Sequence, residues 1–250
     1  MSSRGESQFV KFPRFAAGLY SGLTRTRSLE QQYQEIAACL TDQIKSGRLL
    51  DVGTGPGRLL LEIHKLNPGL QLYGLDISQA MIELATKNLA GLNVELKMAN
   101  VCATGYDSDT FDAMVCTGSF YLWDQPVKGL EEIYRILKPG HSAHLFETRR
   151  DYDRDAYRSA LRANLKQERL TMRLFGPFFL AQALRMAYRT NEVAEIVGRT
   201  SFAGRVRIEN LALVGLPIWM HIQLTKGVAA GSIAADAGHG PAPPNLTAGP

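Results

Sequence analysis

The 250-residue chain has only three cysteines, Cys39, Cys102 and Cys116, and none belongs to a C-x-x-C pair. Such scattered thiols exclude a disulfide framework and a cysteine-based zinc site, and they suit a reducing compartment. No apolar run approaches the roughly 18 residues that a bilayer-spanning helix needs. The longest, LFGPFFLAQALRMA at 174–187, is broken by Pro177 and Arg185. The opening MSSRGESQFVKF lacks the apolar centre of a secretory leader. Together these absences predict a soluble, cytoplasmic protein without a structural metal. A hydrophobic fraction of 45% and a charged fraction of 21% are ordinary for a globular chain. The length suits one large domain with an elaboration.

Net charge is small, +4, but unevenly placed. Between 149 and 189 ten basic residues (149, 150, 154, 158, 162, 166, 169, 173, 185, 189) face four acids (151, 153, 155, 168). An anionic partner is one reading of that excess. Within it, Arg150, Arg154, Arg158, Arg162 and Lys166 recur every four residues. At about 100° per residue they sweep a broad helical ribbon, which a solvated face explains as well as an anionic substrate or membrane surface does. The neighbouring Leu174, Phe175, Phe178, Phe179 and Leu180 suit either a greasy acceptor or a core cap.

Hydrophobic periodicity divides the rest. Leu29, Tyr33, Ile36 and Leu40 mark a helical region over 9–47, with Gly47 as its C-cap. Strands are expected at 48–52, 70–75, 94–98, 111–116, 142–146, 206–209 and 218–224, with helices at 59–66, from Ser78 as N-cap, at 130–137 and at 191–197. Strands alternating with helices predict an α/β fold of the Rossmann-like, doubly wound kind, with a mostly parallel seven-stranded sheet. The expected organisation is a single domain over 1–228. It comprises an N-terminal helical lid (1–47), a core (48–149), a helical cap insertion (150–190) interrupted at Gly176-Pro177, and a C-terminal part (191–228). The Ala/Gly/Pro-rich segment 229–250 has too few bulky residues to repay its ordering entropy and is expected to be disordered.

Ligands of open parallel sheets bind outside the carboxyl ends of the strands, so the turn in LLDVGTGPGRLL (49–60) is a candidate site. A phosphate loop needs Gly-Lys-Ser/Thr, whereas Gly57 is followed by Arg58-Leu59. A dinucleotide fingerprint spaces its third glycine one position later. Asp76, ending the second strand, can accept two ribose hydroxyls, which suits NAD and S-adenosylmethionine equally.

From about Phe15 to Phe146 the ordered motifs resemble the class I S-adenosylmethionine-dependent methyltransferases, with a looser echo at 191–226. Asp51-Val52-Gly53-Thr54-Gly55-Pro56-Gly57 is similar to their acid-x-Gly-x-Gly-x-Gly turn. Lys138-Pro139-Gly140 and Phe120–Pro126 resemble the subgroup holding quinone-biosynthesis C-methyltransferases and many small-molecule enzymes. Phe15-Ala16-Ala17 with Tyr20 resembles its N-terminal lid. The resemblance implies S-adenosylmethionine as cofactor, leaving as S-adenosylhomocysteine, held by Asp51, Gly53, Thr54, Gly55, Gly57, Asp76, Ile77, Met81, Asn100, Val101 and Thr117. Asn100 stands where an Asp is usual, and either reads the adenine amino group or simply forms a turn.

A sulfonium methyl is already activated, so alignment and exclusion of water supply most of the catalysis. A base is needed only if the nucleophile must lose a proton. Tyr20 and Glu147 are the catalytic candidates, and Tyr121, Trp123 and Arg149 the acceptor-binding ones, with Asp124 nearby. His141 and His144 lack a third ligand nearby and read as structural or solvated, so no metal is expected. The function implied is methyl transfer to a small molecule, with an anionic or lipid-like acceptor among the options. Peripheral membrane contact through 150–190 is a further option. Nucleic-acid methylation is an alternative prompted by the basic segment, but no Asn/Asp-Pro-Pro-aromatic stretch follows the fourth strand. A non-catalytic cofactor-binding protein is the third.

Overall fold

Alternation at a period of two decides how the central strands sit. Along β1 (Arg48–Val52), Leu50 and Val52 join one buried cluster and Leu49 the other. Along β4 (Phe111–Thr117), Met114 and Cys116 go with the first, Ala113 and Val115 with the second. Both faces are therefore covered, as parallel strands flanked by helices require.

The structure is a computed structural model describing residues 26–166 and 170–228. The remaining elements are α1 (Arg27–Gln43), α2 (Arg58–Leu66), β2 (Gln71–Asp76), α3 (Gln79–Asn88), β3 (Val94–Met98), α4 (Pro126–Ile136), β5 (Leu137–Thr148), α5 (Arg154–Leu165), α6 (Leu170–Met186), α7 (Thr190–Val197), β6 (Val206–Leu213) and β7 (Leu216–Thr225). The seven strands form one sheet in the order β3-β2-β1-β4-β5-β7-β6. Only the pairings of β7 with β5 and with β6 are antiparallel. This is the expected Rossmann-like, mostly parallel sheet. The lid motif with Tyr20 and the segment 229–250 lie outside the described residues.

Several boundaries differ from the sequence reading, each for a local reason. The first helix ends at Gln43, before Gly47. Gly47, at φ 105°, instead leads into β1, where a Cβ would come within 2.6 Å of the Asp112 carboxylate. Asp112 accepts the Arg48 amide at 2.8 Å and the Lys138 ammonium at 2.7 Å. That anchor keeps Lys138-Pro139-Gly140 inside β5 as a bulge, because Phe111 pairs with Leu137 while Ala113 already pairs with Ser142. α4 starts earlier than expected because Pro126 fits the first turn. Ser78 precedes α3 without a side-chain cap, and its amide donates to Asp76. The helical segment after 150 divides into α5 and α6, with Pro177 inside α6 rather than ending it.

One face of the β5–β7 ladder carries paired polar groups. The hydroxyls of Ser142 and Thr225 meet at 2.9 Å, and His144 Nδ1 lies 3.0 Å from His221 Nε2 in a stacked, buried pair. His141, by contrast, is partly exposed beside Pro139. Burial lowers the His144 pKa to about 4, with the neighbouring His221 adding to it, and burial also lowers that of His221 despite Glu209. The unfolded chain, with histidine near its ordinary value, therefore binds more protons below about pH 6.5. Stability from the neutral pair is full above that pH and drains away as pH falls toward 4. Urea unfolding is expected to show a loss on the order of 3 kcal/mol between pH 7 and pH 4. His144→Phe should flatten that slope; an unchanged slope would refute the pair as its source.

Candidate active site

The strand order reverses direction between β1 and β4, which opens a crevice at their carboxyl ends. A cleft of about 220 Å³ lies there, formed by the turns after β1, β2, β3 and β4. Gly53, Thr54, Gly55, Asp76, Ile77, Met81, Asn100, Val101 and Thr117 line it. Asp76 is its fixed charge: Oδ2 accepts the Gly55 amide at 2.9 Å and Oδ1 the Ser78 amide at 2.8 Å. Burial raises its pKa and these amide bonds oppose the rise. Each oxygen keeps a lone pair for a ligand hydroxyl. Gly55, at φ 52°, has open space where a Cβ would project. Ile77 and Leu122 expose apolar side chains on the cleft wall, and Asp124 Oδ1 is buried there without a partner.

Two residues expected on the cofactor stand behind the cleft instead. Asp51 is buried and accepts the Thr54 hydroxyl at 2.8 Å, bracing the turn from below. Burial pushes its pKa up to about 7. Gly57 begins α2 at φ 76°, where a Cβ would come within 2.7 Å of Leu89 and 3.2 Å of Ala85. The third glycine thus serves helix packing. Asn100 Oδ1 accepts the Cys102 amide at 2.8 Å, so it forms a turn while also lining the cleft.

A second cavity, about 380 Å³, adjoins the first. Its walls come from α1 (Leu29, Gln32, Tyr33), the ends of β4 and β5, α5 (Leu161, Asn164, Leu165), α6 (Leu180, Ala183, Met186) and β7 (Ile218, Trp219). None of the described residues lining it is charged. Tyr33, Thr117 and Gly118 line both spaces and so mark their junction. Gly118 has φ 62°, and an added Cβ would meet nothing within 4 Å.

The predicted acceptor and catalytic residues separate. Tyr121 lines the second cavity. Trp123 lies on the first, its ring edge-on to Phe120 and close against Gly129. Arg149 lines neither cavity; its guanidinium is spent on Asp151 Oδ1 at 2.9 Å and the Asp151 carbonyl at 2.6 Å. Glu147 is buried and lines neither, and its Oε1 accepts the Ser119 and Phe120 amides, both at 2.9 Å. The basic ribbon also turns away. Arg150 grips Glu192, while Arg154, Arg158, Arg162 and Lys166 are exposed. The opposite side of α5 meets the cavity. Sequence reasoning missed Tyr33, read as a packing position, Thr148, which lies beyond the strand expected at 142–146, and Trp219, read only as part of the strand expected at 218–224. No local signal marks them, because their neighbours in space are far away in sequence.

Comparison with known proteins agrees with this geometry. Residues 49–140 match the family model described as a methyltransferase domain. The uncharacterized methyltransferase YdaC of Bacillus subtilis is 30% identical over 42% of this chain and 58% of its own. The ubiquinone/menaquinone biosynthesis C-methyltransferase UbiE of Desulfotalea psychrophila is 27% identical over 50% and 51%, respectively. The chain thus spans between half and three-fifths of the length of these relatives. A Methanococcus maripaludis structure described as an S-adenosyl-L-methionine-dependent methyltransferase superposes with a TM-score of 0.66 at 20% identity, covering 91% of this chain and 98% of that one. The fold is that of the class I methyltransferases. The part that matches the family model, residues 49–140, runs from β1 to the bulge of β5.

Burial pushes the Glu147 carboxyl up to about 8, against the lowering effect of the Phe120 and Ser119 amides. A carboxyl raised above its unfolded value loses stability as pH rises toward and through 8. Glu147→Gln, which retains an acceptor without charge, should therefore raise the melting temperature at pH 9. Glu147→Ala strands two buried amides and should cost about 1–3 kcal/mol at pH 7. Thermal unfolding of the three proteins across pH checks both; equal behaviour of Gln and Ala would refute the brace.

Proposed function

We propose that the protein is an S-adenosylmethionine-dependent methyltransferase acting on an uncharged, largely apolar small molecule. The observation that carries this reading is the meeting of two unlike cavities at Tyr33, Thr117 and Gly118. One offers a glycine turn and a carboxylate; the other offers a wall with no charged side chain among the described residues. The names of its relatives, which include quinone C-methyltransferases, support the same class of acceptor. They favour it over an anionic one, for which the cavity has no described cation. The basic outer face of α5 suits an anionic surface rather than the acceptor.

The residues fit the cofactor by their own chemistry. The spare lone pairs of Asp76 match a vicinal diol, and the open side of Gly55 leaves room for backbone approach. Ile77 and Leu122 offer apolar contact to a flat ring. The unpartnered Asp124 Oδ1 calls for a hydrogen-bond donor. When bound, the cofactor supplies an activated methyl on a sulfonium. The protein's task is then alignment: Tyr33, Thr117 and Gly118 frame the passage between the cavities, and the apolar wall of Leu29, Leu161 and Ile218 excludes water. Glu147 acts at one remove, holding the 118–120 turn through two amides.

Calorimetry with S-adenosylhomocysteine should show saturable binding, weakened about 10- to 100-fold by Asp76→Ala, as loss of two charge-assisted hydrogen bonds implies. No binding by the wild type would overturn the reading. Gly118→Ala should cost only about 1–2 kcal/mol of stability through its positive φ and retain S-adenosylhomocysteine. Its methyl would narrow the junction, so formation of S-adenosylhomocysteine from S-adenosylmethionine with a panel of naphthols and hydroquinones should fall sharply. Undiminished turnover would place transfer elsewhere.

A further inference from the structure

The polar groups on one face of the β5–β7 ladder satisfy one another until the last rung. Ser142 bonds Thr225, Gln223 donates to Ser142, and His144 bonds His221. Thr148 and Trp219, directly opposite each other in the ladder, do not follow suit. Thr148 Oγ1 and Trp219 Nε1 are both sealed from solvent, and neither has a partner. The residues are 5% and 8% exposed, and both line the 380 Å³ cavity, whose described lining residues are all uncharged. Thr117 Oγ1, at the junction of the two cavities, is also unpartnered.

A buried polar group left unpaired costs about 1–3 kcal/mol, and an isosteric apolar side chain would fill the space without that cost. Two such groups on one rung belong to residues that line one cavity, and a ligand oxygen that displaced the atoms covering them would complete both. Indole N–H only donates, whereas a threonine hydroxyl donates or accepts. An ammonium offers nothing to the indole, and a carboxylate would be buried there with no cation among the described lining residues.

We infer that Thr148 and Trp219 form a specificity-determining couple that receives an oxygen of an uncharged acceptor, as a carbonyl, ether or hydroxyl. Trp219 donates to that oxygen, and the Thr148 hydroxyl bonds to it as donor or acceptor. The oxygen sits at the β5–β7 rung, while Tyr33, Thr117 and Gly118 frame the reacting end. The inference rests on the proposed reading of this cavity as the acceptor pocket.

The test uses the full chain saturated with S-adenosylhomocysteine and two probes, 1-naphthol and naphthalene, titrated by fluorescence. Trp219→Phe removes the N–H while keeping an aromatic ring, and Thr148→Val removes the hydroxyl at equal shape. Each variant should lower the ratio of 1-naphthol to naphthalene affinity about tenfold, with naphthalene binding little changed. The melting temperature of unliganded Thr148→Val should equal or exceed that of the wild type, because an unsatisfied group has gone at equal shape, whereas Trp219→Phe also vacates buried volume and is judged by the affinity ratio. An unchanged ratio, or failure of the wild type to bind 1-naphthol, overturns the couple. So does a lower melting temperature in both variants with both probes weakened alike, which is the signature of a packing role. S-adenosylhomocysteine binding in the same samples separates the two failures: its absence in the wild type removes the methyltransferase reading, whereas its presence with an unchanged ratio removes only the couple.

Discussion

The site depends on one small knot of bonds around Ser119. Its amide reaches Glu147 at the end of β5, its hydroxyl donates to the Val52 carbonyl at the end of β1, and it stands two residues past the end of β4. Gly53 must be glycine here, because any Cβ would collide with the Ser119 side chain. Three strand ends are thereby held at fixed separation. The wall common to both cavities, Thr117 and Gly118, is the peptide stretch leading into that knot. Phe120, fully buried, closes it from behind and stacks its edge on Trp123. A loop made of backbone turns has few contacts of its own. This one acquires definition from a carboxyl group whose burial is offset by the two amides it accepts.

How much of this could be read from sequence divides along a physical line. The sheet was legible because alternation at a period of two survives burial, as in Leu49–Val52 and Ala113–Cys116. The glycine turn and Asp76 were legible because their contacts are short in sequence or lie at successive strand ends. Gly57 was assigned to the ligand, since periodicity does not say whether a bare backbone faces a small molecule or a helix; it faces Leu89 and Ala85. Glu147 and Arg149 were placed at the right strand end, yet a strand end has two faces and several neighbours: Glu147 Oε1 holds two amides of the chain and the Arg149 guanidinium holds Asp151. Tyr33 has the spacing of a core residue and sits where the two cavities meet. The second cavity draws on residues from Leu29 to Trp219, and no local pattern links positions that far apart.

Charge is sorted across a single helix. α5 turns Arg154, Arg158 and Arg162 outward and Leu161 and Leu165 to the cavity. A four-residue repeat read alone counts the charges without saying which way they look. Its apolar partners, three or four positions away, answer that question once the helix is docked on β7. Among the described residues the inward side carries no charged side chain, so what α5 offers the cavity there is shape and neutral polar groups.

The Asp112 anchor has a mechanical side. It joins the start of β1 through Arg48 to the β5 bulge through Lys138, at the end of the sheet remote from both cavities. At that end the chain crosses from strand to strand through a carboxylate with both oxygens engaged. At the other end glycines, short turns and two empty spaces meet. At that margin the Ser119 bonds to Glu147 and Val52 tie the strand ends in turn, so the sheet is fastened at both edges and the two cavities lie between fixed posts, as panes lie in a frame.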